Sequence, residues 1–153
     1  MKHTVILTCL VALVLAAPAR AQVRDETVLT YEVIQDERKS LVLDALDLTA
    51  EQRADLLPIF DDYLGEMAQI DAARVALVKE FLAKYKSISD DDAAALLEKV
   101  TTVAQKELDV RKKYFEKFGD VLPDRKVLRL WQVENKLDTI IDTELVKDIP
   151  LAR

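Results

Sequence analysis

The shortage of turn-forming residues is the feature that most restricts what this chain can fold into. Its 153 residues include two Gly and four Pro, the residues that most often interrupt regular structure. Apolar residues recur at intervals of mostly three and four, which is the period of a helix. No segment alternates with a period of two for long enough to favour a strand. The sequence therefore predicts an all-α protein built from a few long helices.

Four helices are expected, separated by short breaks. Their expected ranges are Arg24 or Asp25 to Ala45, Ala50 to about Lys86, Asp90 to Phe118, and Pro123 to about Val146. The break between the second and third helices is so short that these two long helices should form an antiparallel hairpin. Gly119 follows the third helix and is placed to form its C-terminal cap.

The clearest helix start lies at Thr49. Its hydroxyl can accept a hydrogen bond from an N–H group of the first turn, and the Gln52 side chain can reach back to the Thr49 N–H. Leu48, just before this capping box, is placed to pack against neighbouring helices. Weaker versions of the pattern recur at Ser89 and at Pro123, and Pro123 suits the first position of a helix.

Each expected helix carries an apolar stripe that should face the core. Arg38 lies on the first stripe and is expected to lay its stem along the apolar surface with its charge in water. Glu134 interrupts the last stripe and is expected to pair with a basic group of another helix. The stripe of the first helix is Val28, Tyr31, Ile34, Leu41, Val42 and Ala45, and that of the second is Leu57, Phe60, Leu64, Met67, Ile70, Ala73 or Arg74, Leu77, Phe81 and Tyr85. The stripe of the third helix is Leu97, Val100, Ala104, Leu108, Arg111, Tyr114 or Phe115, and Phe118. The stripe of the fourth helix is Val127, Leu130 or Trp131, Glu134, Leu137, Ile141 and Leu145.

The first 21 residues are typical of a secretory signal peptide. A short polar start precedes an apolar run from Thr4 to Ala17, which is shorter than the roughly 17–25 residues of a membrane-spanning helix. Pro18 and the triplet Ala19-Arg20-Ala21 then provide a cleavage site. We expect export, cleavage after about Ala21 and a single helical domain over residues 22–153 without stable membrane insertion. An uncleaved anchor is the alternative.

Cleavage would remove the only His and the only Cys, His3 and Cys9. The exported chain would then lack the groups needed for a Ser-His-Asp site, a thiolate nucleophile, a disulfide or a His/Cys metal site. Asp61, Asp62 and Glu66 form an acidic group that is expected to face solvent, with a divalent-cation site as the alternative. We predict a protein that is not an enzyme and has no catalytic residue, cofactor or metal site.

One polar segment around the single Trp is a candidate partner-binding surface. Arg129, Gln132 and Lys136 share a helix face beside Trp131, and a large aromatic residue is a common anchor at interfaces. The alternative interpretation is a polar network that fixes how the fourth helix docks on the others.

The chain is acidic, with a net charge of −6 at pH 7, and becomes more negative on loss of Lys2 and Arg20. Export and a negative charge both argue against a nucleic-acid partner. Bases and acids are mixed from Lys106 to Arg129. We interpret this region as a solvated face, with a rim for acidic partners or anionic lipid as the alternative.

The signal peptide, the helical layout and the segment Leu48-Thr49-Ala50-Glu51-Gln52 together resemble the LTxxQ-motif family of bacterial periplasmic proteins, the Spy and CpxP type. Leu48, Thr49 and Gln52 match the first motif of that family. A second motif would fall at Leu122 to Lys126, where Pro123 and Lys126 replace the family's Thr and Gln, which indicates a divergent branch.

The resemblance implies a thin, cradle-like helical protein, often an antiparallel homodimer, that acts in the periplasm. It implies binding of unfolded or stress-exposed polypeptides without ATP, as a chaperone or holdase. The alternative function is a regulatory adaptor that docks on an envelope sensor protein. Two features differ from the family: no His remains for metal sensing, and the chain is acidic where the chaperone relatives present a basic cradle.

Overall fold

The computed structural model of the protein describes residues 37–147 and 149–153. Four helices are present in this part of the chain, with no strand, as the all-α prediction required. Helix α1 covers residues 37–45, α2 Ala50–Lys84, α3 Asp90–Gly119 and α4 Asp124–Val146. The expected signal peptide and the expected start of the first helix lie outside the described residues.

The capping box at the start of α2 is confirmed. The Thr49 hydroxyl accepts a hydrogen bond from the Gln52 N–H at 3.1 Å, and the Gln52 side chain accepts one from the Thr49 N–H at 3.3 Å. Ser89 caps α3 in the same way, by accepting a hydrogen bond from the Asp92 N–H at 3.1 Å. The expectation for Pro123 was wrong by one position, because this residue is the N-cap of α4 and makes no side-chain capping bond.

The expected cap at Gly119 is also wrong. Gly119 is the last residue of α3 and does not adopt a positive φ, and the following Asp120 has a right-handed φ of −69°. The chain stays right-handed so that the Leu122 N–H can bond to the Phe118 carbonyl at 2.8 Å, which buries the Leu122 side chain. Among the described residues, the positive φ falls at Asp47, between α1 and α2, in a conformation that Asp tolerates better than most residues.

Contacts between side chains fix the direction of each helix. Along α3, Asp92, Lys99 and Lys113 form ion pairs with Lys84, Glu80 and Glu66 in turn, so α3 runs antiparallel to α2. Helix α4 returns parallel to α2, as shown by the contacts of Lys126 with Gln52, Glu134 with Tyr63 and Asp142 with Arg74. The C-terminal tail ends beside Tyr85, whose carbonyl accepts a hydrogen bond from the Arg153 N–H.

The core lies where α1 and the ends of the other three helices meet. Four aromatic rings form its centre, with centroids of neighbouring rings 5.5–6.1 Å apart: Phe60, Tyr63, Tyr114 and Phe118. Buried aliphatic side chains surround them, among them Val42, Leu46, Leu56, Leu122 and Leu130. The other end of the α2–α3 pair is thinner, since this core does not extend to it.

The faces that point into this core differ from the expected stripes. On α2, Leu56 and Tyr63 are buried in place of Leu57 and Leu64. On α3 the buried residues are Leu96, Tyr114 and Phe118, whereas four residues of the expected stripe are exposed: Leu97, Val100, Ala104 and Leu108. On α4, Leu130 is buried and Trp131 is exposed, which decides between the two candidates. A helix turns by about 100° per residue, so a shift of one position moves a side chain from the core edge to solvent.

None of the described helices combines the length and apolar character needed to cross a membrane.

Candidate functional site

The two copies of the sequence motif meet in space. Lys126, at the start of α4, donates hydrogen bonds to the Gln52 side-chain oxygen at 2.8 Å and to the Asp47 carbonyl at 2.6 Å. Gln52 therefore serves both its own capping box and the docking of α4. Leu48 is partly buried against the core, as its position before the cap predicts. These contacts give Leu48, Thr49 and Gln52 a structural task at the junction of α1, α2 and α4.

A buried polar network joins all four helices beside the aromatic core. Arg38 of α1 donates to a Glu134 carboxylate oxygen at 3.2 Å and also pairs with Asp138 of α4. Tyr63 of α2 donates its hydroxyl hydrogen to the other Glu134 oxygen at 3.0 Å. Arg111 of α3 completes the network through Asp138, at 2.5 Å.

Burial sets the electrostatics of this network. Glu134 is fully buried and Arg38 is 2% exposed, so the expectation that the Arg38 charge lies in water is wrong. Burial raises the pKa of the Glu134 carboxyl, although Arg38 and the Tyr63 hydroxyl oppose that shift. Burial, together with the Glu134 carboxylate, also raises the pKa of Tyr63 well above its usual range. The expected pairing of Glu134 with a base is confirmed, and the base comes from α1.

The acidic group on α2 is not a single solvated cluster. Asp61 and Asp62 are exposed, as expected, and Asp61 pairs with Lys39 at 2.5 Å. Glu66 is half-buried and accepts hydrogen bonds from Lys113 at 2.6 Å and from the Tyr114 hydroxyl at 2.8 Å. These bonds lower the pKa of Glu66, whereas burial and the bond to Glu66 raise the pKa of Tyr114 to about 12. Within residues 37–147 and 149–153, no group of three or more acidic, His or Cys side chains could hold a metal ion.

The candidate partner-binding residues are all at the surface of α4. Arg129, Gln132 and Lys136 are exposed, Trp131 is 40% exposed, and the side chain of none of the four forms a hydrogen bond or ion pair with another described residue. The polar network that docks α4 uses Glu134 and Asp138 instead of these four residues. Trp131 lines a shallow cavity of about 370 Å³ with Phe115, Val127 and Leu128 among its neighbours.

An exposed apolar row, here called the α3 stripe, leads to this cavity. It consists of the exposed residues Leu97, Val100, Ala104 and Leu108 and ends at Phe115, which is half-buried and packs in part against the core. Leu97 and Phe115 are separated by about five full helical turns and so lie on the same line, roughly 27 Å apart. The stripe lies about a quarter turn away from the buried face of α3. Leu97 is 66% exposed, Val100 49% and Leu108 45%, so the stripe offers apolar surface that the described residues leave uncovered.

Sequence reasoning identified Glu134 but missed its partner Tyr63 and the second carboxylate of the network, Asp138, which pairs with Arg38 and Arg111. A signal was present, since Arg38 and Arg111 both lie on apolar stripes, where a charge needs a partner if the stripe is buried. Comparisons of the chain with protein-family models, with characterised proteins and with solved structures give no match. The functional argument below therefore rests on the residues of this chain.

Proposed function

We propose that this protein is an exported, ATP-independent holdase that binds unfolded or stress-exposed polypeptides in the periplasm and has no catalytic site. Export follows from the signal-peptide pattern of residues 1–21, and the periplasm from the resemblance of Leu48, Thr49 and Gln52 to the LTxxQ motif. The proposal needs an accessible apolar surface on a scaffold that is itself well folded.

The α3 stripe is the observation that carries this proposal. Scattered apolar residues are normal on a protein surface, but several exposed apolar residues along one face of a helix favour a surface that binds another molecule. The stripe is long and shallow and is bordered on one side by exposed polar residues such as Thr101, Gln105 and Lys112. A surface of this kind can hold many different unfolded segments weakly, because it makes few contacts that depend on one partner's shape.

The buried network supports the same proposal by a second, independent argument, which concerns the stability of the scaffold. A protein that displays apolar surface must itself resist unfolding and aggregation. The ion pairs of Arg38 and Arg111 join α1, α3 and α4, and the described residues contain no buried polar side-chain atom without a partner. The exposed apolar surface is thus carried by a scaffold whose own polar groups are satisfied.

The proposal is tested by diluting a chemically unfolded client protein out of denaturant and following light scattering without nucleotide. We expect the purified protein to suppress scattering at near-stoichiometric ratios. The variant Leu108→Glu places a charge in the middle of the α3 stripe at a side chain that is 45% exposed. It should raise the ratio needed for half suppression by about fivefold or more, since roughly 1 kcal/mol of apolar contact is lost.

The matched control is Ile140→Glu, which makes the same change at a side chain that is 49% exposed. Ile140 lies on the side of α4 opposite Trp131, so this variant should suppress scattering like the parent. Circular dichroism must show that both variants remain helical. Absence of suppression by the folded parent protein refutes the holdase proposal, and equal effects of the two substitutions refute the assignment to the α3 stripe.

The exposed Trp131 favours a second candidate function, a regulatory adaptor that docks on an envelope sensor protein. A tryptophan beside exposed Leu128 has the composition of an interface anchor, since the side chains of Arg129 and Gln132 have no partner among the described residues. This candidate predicts one defined partner in a pull-down from envelope extract, with capture lost in Trp131→Ala and retained in Ile140→Ala.

A further inference from the structure

An apolar groove, here called the tip groove, lies at the end of the α2–α3 pair that is remote from the core. It encloses a cavity of about 430 Å³. Its walls come from the last turns of α2, the connection to α3 and the first turns of α3, and they include Leu77, Phe81, Ile88, Ala93, Leu96 and Val100. Every side chain that lines it is apolar, so the groove offers contact to apolar groups and no side-chain hydrogen bond.

An irregular segment of this chain forms part of the rim of the groove, and its residues 151–153 are themselves exposed. Ala152 of the C-terminal tail lies against its wall, and the Arg153 N–H donates a hydrogen bond to the Tyr85 carbonyl at 3.1 Å. The largest apolar side chain of this stretch is not used, because Leu151 is 87% exposed. The tail thus places a non-helical backbone with a small apolar side chain at the rim of the groove and bonds it to a free carbonyl at the end of α2.

We propose that the tip groove binds a non-helical apolar segment of an unfolded polypeptide, and that residues 149–153 of the same chain compete with that segment for the groove. This inference rests on the proposed holdase function and gives that function a specific site and an internal regulator. While no client is present, the tail lies at the rim of the groove, where Ala152 covers part of its apolar lining. A client with better side chains displaces it.

The contacts of the tail explain why displacement is feasible. Within residues 149–153, Pro150 has no N–H and Leu151 faces solvent. The Ile149 N–H bonds to the Val146 carbonyl of α4 at 3.3 Å, and the Arg153 N–H bonds to the Tyr85 carbonyl. The tail gains its occupancy from being tethered to α4, which gives it an effective concentration in the millimolar range. A weak tethered competitor of this kind reduces the affinity of an added ligand by about threefold to tenfold.

The test uses fluorescence anisotropy to measure the binding of a fluorescein-labelled peptide that has the sequence of residues 149–153. It is titrated with the full protein and with a variant that lacks residues 149–153. We expect the shortened variant to bind the peptide about threefold to tenfold more tightly, because the internal competitor is gone. A second variant, Ala152→Asp, should give the same gain at full chain length, whereas Leu151→Asp should leave binding unchanged, since Leu151 lies outside the groove.

The groove itself is tested with a matched pair of substitutions in the first turns of α3. Ala93→Glu places a charge in the groove, and Ala94→Glu makes the same change on the neighbouring exposed position. An acid near a helix N-terminus is well tolerated, so both variants should fold. We expect Ala93→Glu to abolish peptide binding by the shortened protein and Ala94→Glu to preserve it.

Three results would overturn the inference. Equal affinities of the full and shortened proteins would show that the tail does not compete. Equal effects of Ala93→Glu and Ala94→Glu would show that the groove is not the binding site. Tail-dependent doubling of the particle mass in size-exclusion chromatography with light scattering would show that the occupant is the tail of a second copy of this chain.

The scattering assay with unfolded client keeps this inference separate from the proposed function. If the parent protein suppresses scattering but loss of residues 149–153 brings no gain, the tip groove proposal fails and the holdase proposal stands. If the peptide measurements follow expectation but no variant suppresses scattering, the holdase proposal fails instead. If removal of residues 149–153 improves the suppression of scattering, and Ala93→Glu in the shortened protein abolishes that improvement, both the tip groove proposal and the holdase proposal are supported.

Discussion

Replacing Arg38 gives the sharpest test of the buried network. The change Arg38→Met keeps a long unbranched side chain but leaves Glu134, which is fully buried, without its cation. Glu134 can escape this by taking up a proton in the folded state. The penalty is then limited to the cost of protonation, which is about 1.4 kcal/mol for each pH unit above the ordinary glutamate pKa of about 4.3.

The expected loss of unfolding free energy follows from this cost of protonation. At pH 7 the variant should lose about 3–4 kcal/mol of unfolding free energy, within the usual range for a broken buried ion pair. At pH 5 the loss should shrink to about 1 kcal/mol, because little free energy is needed to protonate Glu134 there. The sign is fixed by linkage: a carboxyl whose folded pKa is raised favours the folded state below its ordinary pKa and loses that contribution as pH rises.

Urea denaturation followed by circular dichroism at both pH values measures this loss. The neighbouring Lys39→Met is the control, since Lys39 pairs with Asp61 at the surface and such exposed pairs contribute about 0–1 kcal/mol. The double variant Arg38→Met/Glu134→Gln should recover stability at pH 7 relative to Arg38→Met alone. A loss no larger than that of Lys39→Met, or one that is the same at pH 5 and pH 7, would refute the account of a buried ion pair.

Two further predictions concern the helix start and the acid response. Thr49→Ala should lower the unfolding free energy measured by urea denaturation by about 1 kcal/mol, because it removes a capping bond. The control Thr102→Ala, in the exposed middle of α3, should be close to neutral. Equal effects of the two substitutions would contradict the capping argument. The folded pKa of Glu66 is lowered by its bonds to Lys113 and Tyr114, so its contribution is present at neutral pH and is lost as pH falls below about 4.3. Glu66→Gln should therefore flatten the loss of stability between pH 5 and pH 3 in thermal melts, and an unchanged acid slope would show that this group does not control it.

The two ends of the α2–α3 pair differ in how far they are covered by the rest of the chain. Around Tyr63 the four helices share a core and a charge network, whereas the tip of the α2–α3 pair is covered in part by the C-terminal tail. Both proposals place binding on surfaces away from this core, where a ligand can be held without disturbing Arg38 and Glu134. Variants of the α3 stripe and of the tip groove should accordingly change binding with little effect on stability.

The candidate site was only partly predictable. The exposure of Arg129, Trp131, Gln132 and Lys136 agrees with a surface role, but their position on α4 does not by itself identify a partner. The α3 stripe was found in the sequence and assigned to the core, since its residues have the spacing of a buried face. The tip groove depends on the return of the tail to Tyr85, which brings together segments far apart in the chain.

The sequence alone determined the elements of this protein. Few Gly and Pro, a period between three and four and the caps at Thr49 and Ser89 are local properties, and they set an all-α fold and most helix ends to within two residues. The tertiary structure decided which face of each helix is covered. Periodicity gives the angle of a side chain around its own axis, but only the neighbouring helices determine that Leu96 is buried while Leu97 is exposed, and that Arg38 meets Glu134 across 96 residues of chain. Burial is a property of the packed assembly, and for this reason the charged network and the exposed apolar surfaces became visible only when the helices were placed together.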